Sequence, residues 1–166
     1  EGQGYMMMLA ALYDDEETFF RLSLTVQKGS ELASTYLSLG NIGELFPWTW
    51  QEQGSNEYEY TWDVNGESSS LVIDAASDGE VNIALGYIYA HQAGFTSADY
   101  EAYAYKHIAD IKSKLIDASL NLLGDGVSDG LNSFHPDYSD IRAFELFKLY
   151  DVSNNDTSVE SFWDAT

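Results

Sequence analysis

The alternation of polar and apolar positions predicts helices along most of the chain. From Ser77 to Gln92, apolar side chains cover most of the helical circumference, which is typical of a helix that its neighbours bury on several sides. Between Tyr100 and Leu123 the apolar residues form one stripe, and charged residues occupy the opposite face at i, i+4 spacings. An all-buried helix followed by a one-faced helix predicts an inner helix that packs against an outer one.

A capping signal predicts where the all-buried helix begins. Ser77 is followed three residues later by Glu80, which is the spacing of a capping box, and Asp78 lies between them in the expected first turn. Carboxylates at the mouth of a buried helix have their geometry fixed by a rigid element, as a catalytic site requires. A capping role is the favoured interpretation of Glu80. For Asp78, a cap and a functional carboxylate are both open.

A helical hairpin is predicted for the N-terminal part. The glycines of residues 1–5 indicate a loop, and the apolar run over residues 6–13 indicates a buried helix behind it. Asp14 and Glu17 have the spacing of a second capping box, and the helix that follows is expected to end near Gly29. Two helices joined by a short acidic turn are expected to pack against each other.

Between residues 30 and 70 the helical periodicity fails, and a small β insertion is predicted. Trp48 and Trp50 are two residues apart, as on one face of a strand, and residues 57–64 alternate up to the hairpin-turn signal Asn65-Gly66. Aromatic rings beside acids suit a sugar, whose C–H faces stack on the rings while its hydroxyls bind carboxylates and amides. The alternative is that the tryptophans fill the core.

The charge of the chain limits its partners. It carries 28 acidic against 7 basic residues, a net charge of −21. Such a surface repels nucleic-acid phosphates and anionic membranes, so neither is an expected partner, and no apolar run is long enough to span a bilayer. The absence of cysteine excludes disulfides and zinc–thiolate sites. The Asp- and Asn-rich loops at 124–130 and 151–156 lack EF-hand spacing, so no metal or other cofactor is expected.

Several segments, in this order, resemble glycoside hydrolase family 8. Residues 1–5 and the Met-rich helix after them are similar to that family's proton-donor motif, and residues 45–50 to its tryptophan-bearing segment. Residues 76–84 are similar to its Asp-Gly-Asp segment, and residues 134–144 to a helix start that follows a Gly-Asp-Trp loop. The resemblance implies an all-α fold of the (α/α)6-barrel type, with the β insertion as an addition.

The resemblance also implies that the barrel is incomplete. Residues 1–166 are interpreted as the N-terminal part of one catalytic domain whose C-terminal part is absent. An open barrel leaves apolar surface of its inner helices uncovered, so the rest of the domain or another chain is expected to cover it. Members of this kind act on polysaccharides outside the cell, so an extracellular, secreted protein is expected, although this chain carries no signal peptide.

The family's functional residues map onto named positions. Glu1 matches the general acid, Asp78 the carboxylate that contacts the sugar at the cleavage subsite, and Trp48 a stacking platform. Trp50 and Tyr5, in the same motifs, are further expected substrate contacts. An inverting mechanism also needs a second carboxylate that activates water, and in the family this base lies beyond the segments present here.

Two functions from different classes are therefore predicted. The first is a fragment of an inverting endo-β-1,4-glycanase, a cellulase- or chitosanase-like hydrolase acting on glucan or on cationic chitosan. The second is a non-catalytic glycan-binding or structural protein that keeps the scaffold, because a fold does not fix a function. Departures from the family pattern at Met6, Glu80, Asn82 and Gly126 fit either a non-catalytic protein or an enzyme with an altered cleft.

Overall fold

The computed structural model describes residues 2–36, 43, 45–47, 50–53, 57–60, 75–117, 119–127, 138, 140–152 and 162–163, with the backbone alone for 32–36, 50–53, 57–60 and 152. Within these ranges the helices are α1 (Gly2–Leu12), α2 (Glu16–Tyr36), α3 (Ser77–Gln92), α4 (Tyr100–Lys114) and α5 (Ile141–Val152). The strands are β1 (Trp50–Gln53), β2 (Glu57–Tyr60), β3 (Ile116–Asp117) and β4 (Leu122–Leu123), in two antiparallel hairpins.

Helices α1 and α3 run parallel and in very close contact. Gly4 of α1 lies against Asn82 of α3, and one turn further along both helices Met7 lies against Gly86. A β-carbon on Gly4 would come within 2.5 Å of the Asn82 Cβ, so only glycine allows the two backbones to approach this far. The matched order of the contacts means that both helices begin at the same end of the protein.

Helix α5 is parallel to α3 as well. Near its start, Arg142 lines one groove together with Asn82 of α3. Near its end, the ring of Tyr150 lies 5.9 Å from that of His91, close to the end of α3. Three parallel helices therefore begin at one end of the protein.

The intervening helices run in the opposite direction. In α4, His107 contacts Glu80 at the start of α3, whereas Glu101 lies 3.9 Å from His91 at its end. The short turn between α1 and α2 makes that pair antiparallel too, and Gln3 donates a hydrogen bond of 2.8 Å to the carbonyl of Leu22. Alternating inner and outer helices of this kind form an arc of an α/α barrel.

Helix α3 is the centre of the core. Eleven of its 16 residues are buried, and they lie around most of the helix, as the apolar circumference predicted. Around Tyr87, the rings of Phe19 and Tyr100 join α2 and α4 with a centroid distance of 4.9 Å between them. Edge-to-face pairs of this geometry stabilise beyond their buried area, so this aromatic cluster ties the outer helices to the inner one.

Several predicted boundaries are wrong, each for a local reason. Helix α1 starts at Gly2 rather than after a loop, and Gly4 serves its packing against α3. The cap of α2 is Asp15, which accepts a hydrogen bond of 3.0 Å from the Thr18 amide, while Asp14 has a φ of 59°. Helix α2 also continues past Gly29 to Tyr36.

The long helix predicted up to Leu123 ends earlier, at Lys114. Asp117 accepts hydrogen bonds of 2.7 Å and 3.2 Å from the amides of Ser119 and Leu120, and Asn121 has a φ of 54°. These turn contacts reverse the chain and allow β3 and β4 to pair. A local side-chain to backbone bond thus overrides the helical pattern.

The predicted β insertion is confirmed. Strand β2 pairs with β1 in antiparallel orientation, and Trp50 is opposite Tyr60. The predicted turn at Asn65-Gly66 lies outside the described residues. The predicted fold class, mainly helical with a small β insertion, is confirmed.

Candidate functional site

The start of α3 lies at the common end of the inner helices, but it is not held by a capping box. The residue before the helix, Ala76, makes no side-chain cap, and the Ser77 hydroxyl donates to the carbonyl of Gly124 instead. The Ser77 amide donates to the carbonyl of Asp125 at 3.0 Å. The capping prediction for Ser77 and Glu80 is therefore wrong, because Ser77 forms its hydrogen bonds with the loop after β4.

Glu80 is buried between three segments of the chain. Its side chain is 2% exposed, and both of its carboxyl oxygens lie 3.1 Å from the amide nitrogen of Phe46. Its Oε2 lies 2.7 Å from Nε2 of His107, which is also 2% exposed. Glu80 thus links α3, α4 and the segment 45–47 rather than capping its own helix.

Two opposing effects act on the charge of Glu80. Burial raises the pKa of Glu80 because it removes the carboxylate from water, and the contacts to His107 and to the Phe46 amide lower it, with burial the larger effect. An amide that faces both oxygens favours the carboxylate form, and an Nε2–H of His107 supplies a second donor. The buried pair therefore finds hydrogen-bond partners within the protein.

Asp78 lies two residues before Glu80 and is only half buried. Its Oδ1 accepts a hydrogen bond of 2.7 Å from the amide of Gly79. In the part of the chain that the structure describes, its other oxygen has no partner, so it is available to a ligand hydroxyl. A partly exposed carboxylate at a rigid helix start is a suitable acceptor for a hydrogen bond from a sugar hydroxyl.

A groove of about 570 Å³ runs between α1, α3 and α5. Its polar residues, Asn82, Asp140 and Arg142, lie near the starts of α3 and α5. Its remaining lining is mostly apolar and aromatic, and consists of Tyr5, Met8, Leu9, Leu12, Leu85, Tyr89 and Ala143. A mostly apolar lining with a few polar groups at one end is the composition typical of small-molecule sites.

The structure locates the predicted site residues only in part. Tyr5 is 47% exposed and lines this groove on α1, and Asp78 lies at the start of the parallel α3. Trp50 lies in β1, where only the backbone is described. Glu1 and Trp48 lie outside the described residues, so their distance from Asp78 stays a prediction.

His107 is the residue that the sequence analysis missed. It lies on the buried face of α4, between Ala104 and Ile111, where every neighbour on the stripe is apolar. A histidine inside an apolar stripe needs a buried polar partner, and this was the available signal.

Among the described residues, no group of three or more His, Asp or Glu side chains is arranged to hold a metal ion. In the same part of the chain, no helix combines the length and the apolar character needed to cross a bilayer.

Comparison with solved structures shows the fold. The chain superimposes with a TM-score of 0.72 on a mutant of a reducing-end-xylose-releasing exo-oligoxylanase complexed with xylobiose, with 21% identical residues. The match covers 99% of this chain and 40% of that enzyme, so the chain spans well under half the length of its neighbour. No protein-family model and no curated protein matches the sequence. The likeness confirms a fold of the helical-barrel type.

Proposed function

We propose that the chain is the N-terminal part of a glycoside hydrolase domain of the family 8 type, which cleaves β-1,4-linked polysaccharide with inversion. The observation that carries the proposal is the parallel arrangement of α1, α3 and α5. It brings the start of α1, Asp78 and the polar end of the groove to one end of the protein. The same segments carry the motifs that resemble family 8.

In the proposed mechanism Glu1, which precedes α1 in the sequence, protonates the glycosidic oxygen as the general acid. Asp78 binds a hydroxyl of the sugar at the cleavage subsite, and Tyr5, Trp48 and Trp50 provide aromatic contacts. An inverting reaction requires a second carboxylate that activates water on the opposite face of the ring. That base is proposed to come from the part of the domain that follows residue 166.

Three substrates are proposed. The structural neighbour is complexed with xylobiose, which supports xylo-oligosaccharides. The resemblance to family 8 supports β-glucan and chitosan. Of these, chitosan alone is cationic, and a net charge of −21 attracts it. Because such polymers lie outside cells, the protein is proposed to be secreted.

A second candidate, a scaffold or assembly role, is favoured by exposed apolar side chains near the end of α1, two of which, Leu9 and Leu12, also line the groove. Leu12 and Tyr13 are 68% and 81% exposed, and Leu9 is 46% exposed. Apolar side chains that cluster at a surface mark a contact with another part of the protein. In the scaffold role a different chain covers them, whereas in the proposed hydrolase the remainder of the same domain does.

The test is hydrolysis by the full-length protein. Xylohexaose, mixed-linkage β-glucan and chitosan are each incubated with it, and new reducing ends are measured together with the anomer of the first product by NMR. The proposal expects turnover of at least one substrate, with the α-anomer formed first. Release of the β-anomer would contradict inversion, and absence of turnover with saturable binding would favour the non-catalytic candidate.

A further inference from the structure

Residues 45–47 form a hydrogen-bonded junction with α2, α3 and α4. The backbone of residues 45–47 is held on both sides, since the Leu45 carbonyl accepts a hydrogen bond of 2.9 Å from Ser30 of α2 and the next amide, that of Phe46, donates to Glu80 of α3. His107 of α4 completes the junction through its 2.7 Å contact with Glu80. A short segment without helix or strand thereby acquires a fixed position against three helices.

This junction is costly for the fold. Moving a carboxylate and an imidazole out of water carries a desolvation penalty that a pair of apolar side chains of similar volume avoids. Glu80 and His107 are each 2% exposed, so water does not reduce that penalty. Core packing alone therefore gives no reason for these two residue types here. Their polar groups act on the geometry of the segment that Glu80 binds.

The junction lies beside the candidate site, so it affects the position of the segment 45–47 relative to Asp78. Glu80 is in the same helical turn as Asp78, the proposed sugar-binding carboxylate. Phe46 precedes the tryptophan-bearing residues 48–50 in the sequence. One carboxylate thus bonds the backbone that leads into the aromatic segment, and it projects from the turn that carries the candidate site.

We propose that Glu80 and His107 are positioning residues that fasten the segment 45–47 to the first turn of α3 and so hold this segment in place beside Asp78, the carboxylate of the proposed carbohydrate site. Both side chains are buried and bind each other and the Phe46 amide, so their proposed role is positioning and not catalysis. The proposal rests on the proposed carbohydrate function. It adds to that function the side-chain pair that aligns the segment 45–47 with the helical turn of Asp78.

The decisive variant replaces both residues at once, Glu80→Met with His107→Phe. Apolar side chains of similar volume keep the core filled, whereas the Phe46 amide loses its acceptor. Glu80→Gln is the conservative partner, because its amide oxygen still accepts from Phe46. Glu16→Met is the matched control, since Glu16 also binds loop amides, those of Thr96 and Ser97, but at the opposite end of α3.

Two measurements are made on the full-length protein. Hydrogen exchange at the Phe46 amide is expected to become at least about 10-fold faster in the double variant and to stay slow in Glu80→Gln and Glu16→Met. Affinity and kcat/KM for xylohexaose and chitosan hexamer are expected to fall by about 10²-fold in the double variant, because misplacing a substrate-positioning group by about 1 Å has that effect. The circular dichroism spectrum and Tm of the double variant are expected to stay close to those of the wild type.

Each outcome decides the proposal. Unchanged exchange, or wild-type affinity and kcat/KM in the folded double variant, overturns it. If the wild type neither binds nor cleaves either oligosaccharide, the proposed function fails and the positioning role fails with it, while the exchange data still show whether the pair fastens the segment. If the double variant does not fold, His107→Asn removes the imidazole contact alone. An approximately 10-fold loss of kcat/KM then supports the proposal, and unchanged kinetics overturn it.

Discussion

Gly86 of α3 and Met7 of α1 are in such close contact that a β-carbon on Gly86 would lie 2.8 Å from the Cβ of Met7. Real β-carbons essentially never come this close, and the Met7 Cβ cannot swing away because it is bonded directly to the backbone. Gly86→Ala is therefore expected to push the two helices apart and to lower the free energy of unfolding by about 1–3 kcal/mol, as overpacking does. Chemical denaturation with circular dichroism measures the loss.

Gly2→Ala is the matched control for that change. A β-carbon on Gly2 meets no atom within 4 Å, and Gly2 is the first residue of α1, the helix that Gly86 contacts. Alanine is expected to leave stability unchanged or to raise it by up to about 1 kcal/mol, because it limits the unfolded chain. Equal losses for Gly2→Ala and Gly86→Ala would remove close helix contact as the cause.

The hydrogen bonds of Glu16 make the stability of the fold depend on pH. Its Oε1 accepts hydrogen bonds from the hydroxyl and amide of Ser97 and from the amide of Thr96, and these bonds lower the pKa of Glu16 below 4.5. A carboxyl whose pKa is lower in the folded than in the unfolded chain stabilises the fold above the unfolded value. That contribution disappears as the pH falls through the lowered pKa.

Glu16→Gln is therefore expected to lower Tm at pH 7, and the difference from the wild type is expected to vanish at acidic pH. Thermal unfolding between pH 2 and 7 measures it. Glu17→Gln is the control, because it removes a neighbouring carboxylate whose contact is an exposed i, i+4 pair of 2.6 Å with Arg21. A Glu16→Gln difference that is constant over this range would show that the ionised form is not responsible.

The general fold could be predicted because its signal is repeated along whole helices. The apolar circumference of α3 and the single stripe of α4, including Ile108 and Ile111, identify an inner and an outer helix without any tertiary information. The ends of the helices were harder to predict from the sequence. The early end of α4 depends on one side chain, that of Asp117, whose turn contacts outweigh the helical preference of the residues after it.

The candidate site could be predicted from the sequence only where a motif marks it. The position of Asp78 at the start of α3 was predicted from the sequence, whereas the role of Glu80 was not, because capping spacing is local and its partners are distant in the chain. Phe46 and His107 are 34 and 27 residues away from it. No periodic pattern connects such positions, so tertiary contact alone reveals the pair.

Asp78→Asn tests the carboxylate at the candidate site. The change keeps the shape but removes the charge that is proposed to hold a sugar hydroxyl. Both affinity and kcat/KM for the substrate that the wild type cleaves are expected to fall by about 10- to 100-fold, the value of a hydrogen bond to a charged group. Isothermal titration and initial-rate kinetics measure the two quantities.

Asp99→Asn is the control for Asp78→Asn, because it makes the same chemical change at a helix start at the opposite end of α3. Asp99 caps α4 by accepting a hydrogen bond of 3.0 Å from the Ala102 amide, and asparagine caps equally well. Asp99→Asn is expected to keep wild-type affinity and rate. Equal effects of the two variants would mean that Asp78 acts through general stability.

The general acid is tested by Glu1→Gln in the full-length protein. Glutamine keeps the shape and hydrogen-bonding atoms of glutamate but has no proton to transfer to the leaving oxygen. Substrate affinity is therefore expected to survive, whereas kcat is expected to fall by about 10²- to 10⁴-fold, the usual contribution of general acid catalysis. Glu145→Gln, on the exposed face of α5, controls for loss of a carboxylate as such. Equal kcat values for the wild type and Glu1→Gln would exclude Glu1 from proton transfer, and a parallel fall in affinity would assign it to binding instead.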